Sequence, residues 1–300
     1  MAIMQETKYI WKNGKFIAWA KATTHILSHG LQYGTGFFEG IRSYPTPEGE
    51  TIFRLQPHVE RIFHSAQALG MKLPWNKKQI AEAIIATARK NKVSDCYIRP
   101  YAFYGYQKVG PNPADSPVDM IIACIPLKDY LKRDFIKVTL APLARIAPSS
   151  APHGTKISGM YYHAALSGLY AWKRGFDEAI VLDHKGYVAE GAAENLYMVK
   201  HGKIYTPPAD TILPGITRDT LMTLCKDMGI PIQEKRLTLK MLQDADEVFF
   251  SGTAVELHSI GQIEKKKLPR KNPITKELCA HYMDVVHGKV GKYKRWLTWI

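Results

Sequence analysis

The apolar stretches of this chain are short. The longest, such as Met120 to Pro126, match a single strand, and none approaches the ~18 consecutive apolar residues a membrane span needs. Such runs bury their faces only by stacking against one another and against amphipathic helices, so a mixed α+β fold is predicted. After Pro57, Val59, Ile62, Phe63, Ala66 and Leu69 recur at helical spacing up to Gly70, and residues 78–90 repeat the logic. Two β-rich runs flank Asn13-Gly14, a dipeptide suited to a two-residue hairpin. Residues 51–55, 96–104 and 118–125 read as further strands.

The chain has 300 residues, about twice the ~150-residue domain prior, which suggests two domains. The charged stretch 127–134 is the expected connector, giving a smaller α+β domain over 1–130 and a larger one over 135–300. The second half reads as a strand at 135–141, a Pro-, Ser- and Gly-rich loop to Ser158, and a helix at 160–174. Strands are expected near 178–183, 194–199 and 247–251, with another helix after Pro214-Gly215 and Thr217 as its N-cap.

Composition narrows the function classes. Hydrophobic residues make up 46% of the chain, enough for a core in each half. The segment MAIMQETKYI lacks the apolar stretch of a secretory signal, so the expected location is cytoplasmic. Cys96, Cys124, Cys225 and Cys279 form no CxxC pair, which argues against a zinc site or a disulfide framework. The net charge of +14 is spread along the chain, with one short run at Lys265 to Lys267. A basic surface that attracts small anions accounts for it better than nucleic acid, which needs a basic face with interleaved aromatics.

Four segments carry candidate chemistry. Lys156 lies in HGTKISGMYY, where small neighbours admit a planar ligand, and a lysine withdrawn from water becomes a nucleophile. In LPGITRDTLMTL (213–224) a Pro-Gly turn opens a helix whose first N–H groups suit a phosphate. In EVFFSGTAVEL (247–257) an apolar strand runs into small residues able to cradle oxyanions. Glu190, in YVAEGAAENLY (187–197), follows an apolar strand and could keep a pyridine nitrogen protonated. Each segment alone also reads as ordinary structure: a solvated lysine, a helix start, a tight turn, an exposed glutamate.

Their order changes the weighing. KxxxxY at 156–161, EGxxEN at 190–195, LPGITR at 213–218 and SGTAxE at 251–256 together resemble the fold-type IV pyridoxal-phosphate enzymes. SHGLQYGTGFFEGIRSY (28–44), HVERIFHSA (58–66) and YIRP (97–100) are similar to the bacterial branched-chain amino acid aminotransferases, so the resemblance covers essentially the whole chain. It implies the two-domain α+β architecture of that fold type, shared with the D-amino acid aminotransferases. The implied activity is ping-pong transfer of an amino group between leucine, isoleucine or valine and 2-oxoglutarate, with pyridoxal 5'-phosphate as cofactor.

The resemblance also implies roles. Lys156 is the imine lysine and the base that shuttles the Cα proton, and Glu190 pairs with the pyridine nitrogen. Arg61, Ile216, Thr217 and Thr253 hold the phosphate, and Tyr161 bonds the phenolic oxygen. Glu194 and Asn195 support the site. Tyr33, Phe38 and Tyr130 form aromatic walls with Gly40 leaving room. Arg99 binds the glutamate γ-carboxylate, while Tyr97 and the backbone at Thr253-Ala254 take the α-carboxylate. No metal, nucleic acid or membrane is implied, and the partners are amino acids and 2-oxo acids. The family forms dimers or dimer-based hexamers, so a homo-oligomer is expected.

Two features depart from the family pattern. FYGYQKVGPNP (103–113), with Lys108 and Pro111, replaces a Gly-rich loop ending GVNP that in relatives lines a neighbouring subunit's substrate pocket, and Met160 stands where many members have Asn. Both bear on substrate preference rather than on the cofactor. The alternatives are a D-amino acid aminotransferase and an aminodeoxychorismate lyase of the same fold. From other classes, His25 and His29 lack the acid of a HExxH metal motif, and Gly34, Gly36 and Gly40 do not make GxGxxG.

Overall fold

The computed structural model describes residues 4–127 and 133–300. The chain divides into two compact units: Met1–Tyr130 with Thr155–Met160 and Asp284–Ile300, and Leu131–Gly154 with Tyr161–Met283. The second body expected from the sequence, 135–300, is thus interrupted once and ends early, because the short segment bearing Lys156 and the C-terminal segment belong with the first unit. Most of the expected connector, residues 128–132, lies outside the described residues, and so does Tyr130.

The first unit is built on an eight-stranded sheet whose strands pair antiparallel throughout. At one end Tyr9–Lys12 and Lys15–Ala18 form the hairpin that Asn13-Gly14 predicts, with positive φ at both turn residues (49° and 90°). The long central pair is Cys96–Tyr104 with Val118–Pro126. At the other end Leu297–Trp299 pairs with Gly49–Phe53, which ties the C-terminus to this unit.

Two helices cover the sheet. Lys77–Asn91 starts at a capping box in which Asn76 accepts from the Gln79 amide and Gln79 accepts from the Asn76 amide, both at 2.9 Å. Leu55–Ala68 begins two residues before Pro57, which sits in the first turn where its missing N–H costs nothing. Val59, Ile62 and Ala66 of this helix meet Ile80, Ile84 and Ala88 of the other and Ile98, Met120 and Ile122 of the sheet in one core. Truncating Ile62 to Ala there would cost about 2–5 kcal/mol. The buried stripe of Leu55–Ala68 also contains two polar residues, His58 and Ser65.

The second unit carries a nine-stranded mixed sheet. Phe135–Leu140 runs parallel to both Glu178–Leu182 and Glu256–Ile263. A parallel neighbour needs a crossover, and the helix Tyr162–Lys173 lies in it. Ala171 packs on Ala141, Ala179 and Val181, small residues that let helix and sheet approach closely. The expected helix at 160–174 is divided into a 3-10 turn, Ser158–Tyr161, and this α-helix. Two local expectations are corrected. Gly215, not Thr217, is the N-cap of Ile216–Asp227, so Thr217 lies inside the first turn. Glu190 does not follow a strand but sits within one, Val188–Gly191, paired with Val181. Among the described residues no helix is long and apolar enough to cross a membrane.

Candidate active site

Lys156 belongs to a cluster in the first unit. Its segment is laid along the strand Gly36–Phe38: the Phe38 amide donates to the Lys156 carbonyl at 3.1 Å, and Ile157 bridges Phe37. The Gly159 amide donates to the Gly34 carbonyl at 3.0 Å, and a Cβ on Gly34 would stand 2.6 Å from the Gly159 Cα. Two glycines are therefore what lets this segment approach so closely. The Lys156 amide donates to Ser65 Oγ at 3.1 Å, which explains one polar residue on the buried helical stripe.

The Lys156 ammonium stands 4.7 Å from the centre of the Phe38 ring. Burial lowers its pKa from 10.5 to about 8, with Tyr97 and Glu39 opposing the fall and Arg61 and Arg99 adding to it. A drop of that size raises the neutral amine fraction near pH 7 roughly 300-fold, turning a spectator into a nucleophile.

Around it lie residues of both expected and unexpected kinds. Arg61 is bound side-on by Glu39, with Nε to Oε1 at 2.5 Å and Nη2 to Oε2 at 2.9 Å, and His58 Nδ1 meets Oε2 at 2.7 Å. Burial raises the Glu39 pKa, but Arg61 and His58 outweigh it and hold the carboxyl well below the usual carboxylate range. Sequence reasoning misses Glu39 and His58, although a signal exists. His58 and Arg61 are three apart on one helix face, and Glu39 interrupts an apolar run.

The expected substrate residues are partly brought together. Tyr97 Oη accepts from Arg99 Nη2 at 3.1 Å, and the Arg99 guanidinium lies 4.6 Å from the Phe38 ring centre. A Cβ on Gly40 would stand 1.9 Å from Tyr97 Oη, so Gly40 first of all makes room for that hydroxyl. Arg99 Nε is buried without a hydrogen-bond partner among the described residues, which leaves a cation ready for an anion. Tyr33 stands apart from this group: it is 43% exposed and tilts against His29. His29 Nε2 meets the Gly110 carbonyl at 3.0 Å and Nδ1 meets Thr35 Oγ1 at 2.6 Å, so both ring nitrogens are engaged in structure. In the departing loop, Lys108 Nζ donates to the Ala114 carbonyl at 2.7 Å and lies 3.2 Å from Asp115.

The second unit has its own cluster, centred on Glu190. Arg145 Nε bonds Oε1, while Oε2 accepts from the Leu213 amide at 3.2 Å and Asn195 Nδ2 at 3.4 Å. Asn195 also donates to the Leu213 carbonyl at 3.0 Å, and a Cβ on Gly215 would come within 2.1 Å of its Oδ1. This pins LPGITR beside Glu190. In the helix that follows, Asp219 is the first amide to bond back, to Gly215, so Ile216 and Thr217 present the N-terminal amides. Thr253 and Ala254 form the half-buried tip between Glu247–Gly252 and Glu256–Ile263. Tyr161 ends the 3-10 turn Ser158–Tyr161 and is half-buried. Glu194 Oε2 accepts from the Ala193 amide at 3.0 Å, shaping the turn before Asn195. Sequence reasoning misses Arg145 too, since nothing in LARIAPSS distinguishes it from a surface arginine.

Each unit holds groups that suit a phosphorylated aldehyde cofactor with a basic ring nitrogen: the first an amine of pKa about 8 and a guanidinium fixed on a buried carboxylate, the second a helix start and a carboxylate held by three donors. Comparison with known proteins agrees. The model of the family "Amino-transferase class IV" matches residues 36–263. The branched-chain-amino-acid aminotransferase of Pseudomonas aeruginosa is 39% identical over 99% of each chain, and that of Escherichia coli 36% identical over 98% of this chain and 97% of its own. Among solved structures, the branched-chain amino acid aminotransferase from T.th. complexed with N-(5'-phosphopyridoxyl)-L-glutamate superposes with a TM-score of 0.94, at 38% identity over 98% of this chain and 99% of that one. The enzyme of the archaeon Thermoproteus uzoniensis with norvaline gives the same TM-score at 37% identity, covering 97% and 99%. By sequence over its whole length and by fold, this chain belongs to the class IV aminotransferases and, among them, to the branched-chain amino acid aminotransferases.

Proposed function

We propose that this protein exchanges amino groups between leucine, isoleucine or valine and 2-oxoglutarate, with pyridoxal 5'-phosphate as its cofactor and Lys156 as the residue that carries it. The observation that carries the reading is the Lys156 amine, brought to a pKa of about 8 by burial beside Phe38 and among Arg61, Tyr97 and Arg99. When bound, the cofactor supplies an electron-withdrawing ring that spreads the negative charge developing at the substrate Cα.

The residues then divide the work. Lys156 Nζ would hold the cofactor at its aldehyde carbon and, once released by substrate, would move the proton from the substrate Cα to that carbon, across the intervening nitrogen. Glu190, fixed by Arg145, Asn195 and the Leu213 amide, keeps the ring nitrogen protonated. Arg61 and Thr253, with the amides of Ile216 and Thr217, take the phosphate, and Tyr161 bonds the phenolic oxygen. Phe38 walls the aliphatic side chain. Arg99, braced on Tyr97, gives 2-oxoglutarate a charge-assisted partner that leucine does not need, and Tyr97 with the Thr253-Ala254 backbone takes the α-carboxylate.

The working form is a homo-oligomer, a dimer or a dimer-based hexamer. Its support is a stripe on the helix Tyr162–Lys173, where Tyr162, Leu166, Leu169 and Trp172 fall at helical spacing and Trp172 is 73% exposed. A cytoplasmic location accords with four free cysteines, three of them buried.

A single-turnover donor panel tests the reading. Leucine should shift the visible band of the holoenzyme, and D-alanine and aminodeoxychorismate should not. A faster shift with D-alanine would turn the assignment to a D-amino acid aminotransferase.

A further inference from the structure

Arg61 is not presented by its helix alone. The side-on pair with Glu39 uses Nε and one Nη2 hydrogen, two of the five guanidinium donors, and turns the Nη1 edge away from the carboxylate. Glu39 is in turn over-determined: His58 Nδ1 lies 2.7 Å from Oε2, and the Gly40 amide donates to the same oxygen at 3.2 Å. Its side chain is 1% exposed and that of His58 is 3% exposed. Burying a carboxylate this deeply carries a heavy desolvation penalty, so it is a poor device for stability alone. Its place suggests another use. It binds the Arg61 that adjoins Lys156, and its chain neighbours Phe38 and Gly40 border the same cluster.

We propose that Glu39, steadied by His58, is the positioning residue that fixes the Arg61 guanidinium for the phosphate of the cofactor. The proposal rests on the reading of Arg61 as a phosphate ligand. His58 is held neutral, because burial lowers its pKa against the pull of Glu39. A neutral ring donates Nδ1–H and leaves the carboxylate its full charge, so Arg61 is locked by two charge-assisted bonds in one plane. Losing that lock lets the guanidinium swing, and the loss falls only on ligands that carry a phosphate.

The test compares pyridoxal 5'-phosphate with pyridoxal, which lacks the phosphate, by equilibrium binding to the apo-proteins. Glu39→Gln should weaken the phosphorylated ligand about tenfold to hundredfold and leave pyridoxal within about twofold. His58→Asn should act in the same direction but less, and it carries the same test if Glu39→Gln does not fold. In an Arg61→Met background, Glu39→Gln should add nothing. Equal weakening of both ligands would show a merely structural carboxylate and overturn the proposal, as would full additivity with Arg61→Met. If Arg61→Met leaves the ratio of the two affinities unchanged, the phosphate reading of Arg61 itself falls.

Discussion

Each unit buries a glutamate–arginine pair, and the proposed function uses the two pairs in opposite senses. In the first unit Glu39 is 1% exposed and Arg61 11%, so the arginine has the more open side. There Lys156 and Arg99 add positive charge, a surplus that suits a phosphate or a carboxylate. In the second unit Glu190 is 8% exposed and Arg145 12%, and the carboxylate collects donors from Asn195 and Leu213 as well. In the proposed function the glutamate works here and the arginine holds it. The lesson is that an ion pair does not announce which partner does the chemistry. The surrounding charge does.

Lys156→Ala should produce the largest effect, loss of turnover with every amino donor, because the reading gives the imine to this amine alone. Retained turnover at a tenth of the native rate or more would remove the first cluster from the chemistry. Next is the contrast within the second pair. Glu190→Gln should lower kcat by about a hundredfold or more, and Arg145→Met by about tenfold. The reverse order would make Arg145 the working member and break the comparison. A smaller, selective effect is expected at Arg99. Arg99→Ala should raise the KM for 2-oxoglutarate about hundredfold while that for leucine changes within about threefold. Equal losses would contradict the dual use of one pocket.

The smallest effect is on pH dependence. The folded pKa of Lys156 is lowered, so the unfolded chain binds more protons between about 8 and 10.5. The apo-protein should therefore gain stability relative to Lys156→Met as pH rises through that window. Its rate of cofactor capture should climb through about pH 8 and then level. Tyr97 and Glu39 hold the transition up, and Arg61 and Arg99 push it down. Identical stability profiles for the two proteins would mean that the Lys156 amine is an ordinary solvated one.

Much of the molecule was legible where local rules govern. The Asn13-Gly14 hairpin, the helix after Pro57 and the strands at 96–104 and 118–125 all stand in the structure, because turn chemistry and periodicity specify them. The rest depends on contacts distant in sequence. Nothing local shows that Thr155–Met160 lies on Gly36–Phe38; that follows from Gly34 meeting Gly159. The Thr217 hydroxyl could cap its helix, but Gly215 occupies the cap, where Asn195 leaves no room for a Cβ. Glu190 carried its signal in the motif EGxxEN, whereas its holder Arg145 carried none. Glu39 was hidden for a different reason: a charged residue between Phe38 and Gly40 reads as part of a pocket wall until its partners His58 and Arg61 are seen.

The most direct measurement is chemical. Borohydride reduction of the holoenzyme, followed by digestion and mass spectrometry, locates the lysine bonded to the cofactor. The expected result is one modified peptide, containing Lys156 within HGTKISGMYY. A stable adduct on any other lysine, or none with cofactor in excess, would contradict the assignment on which every other role depends.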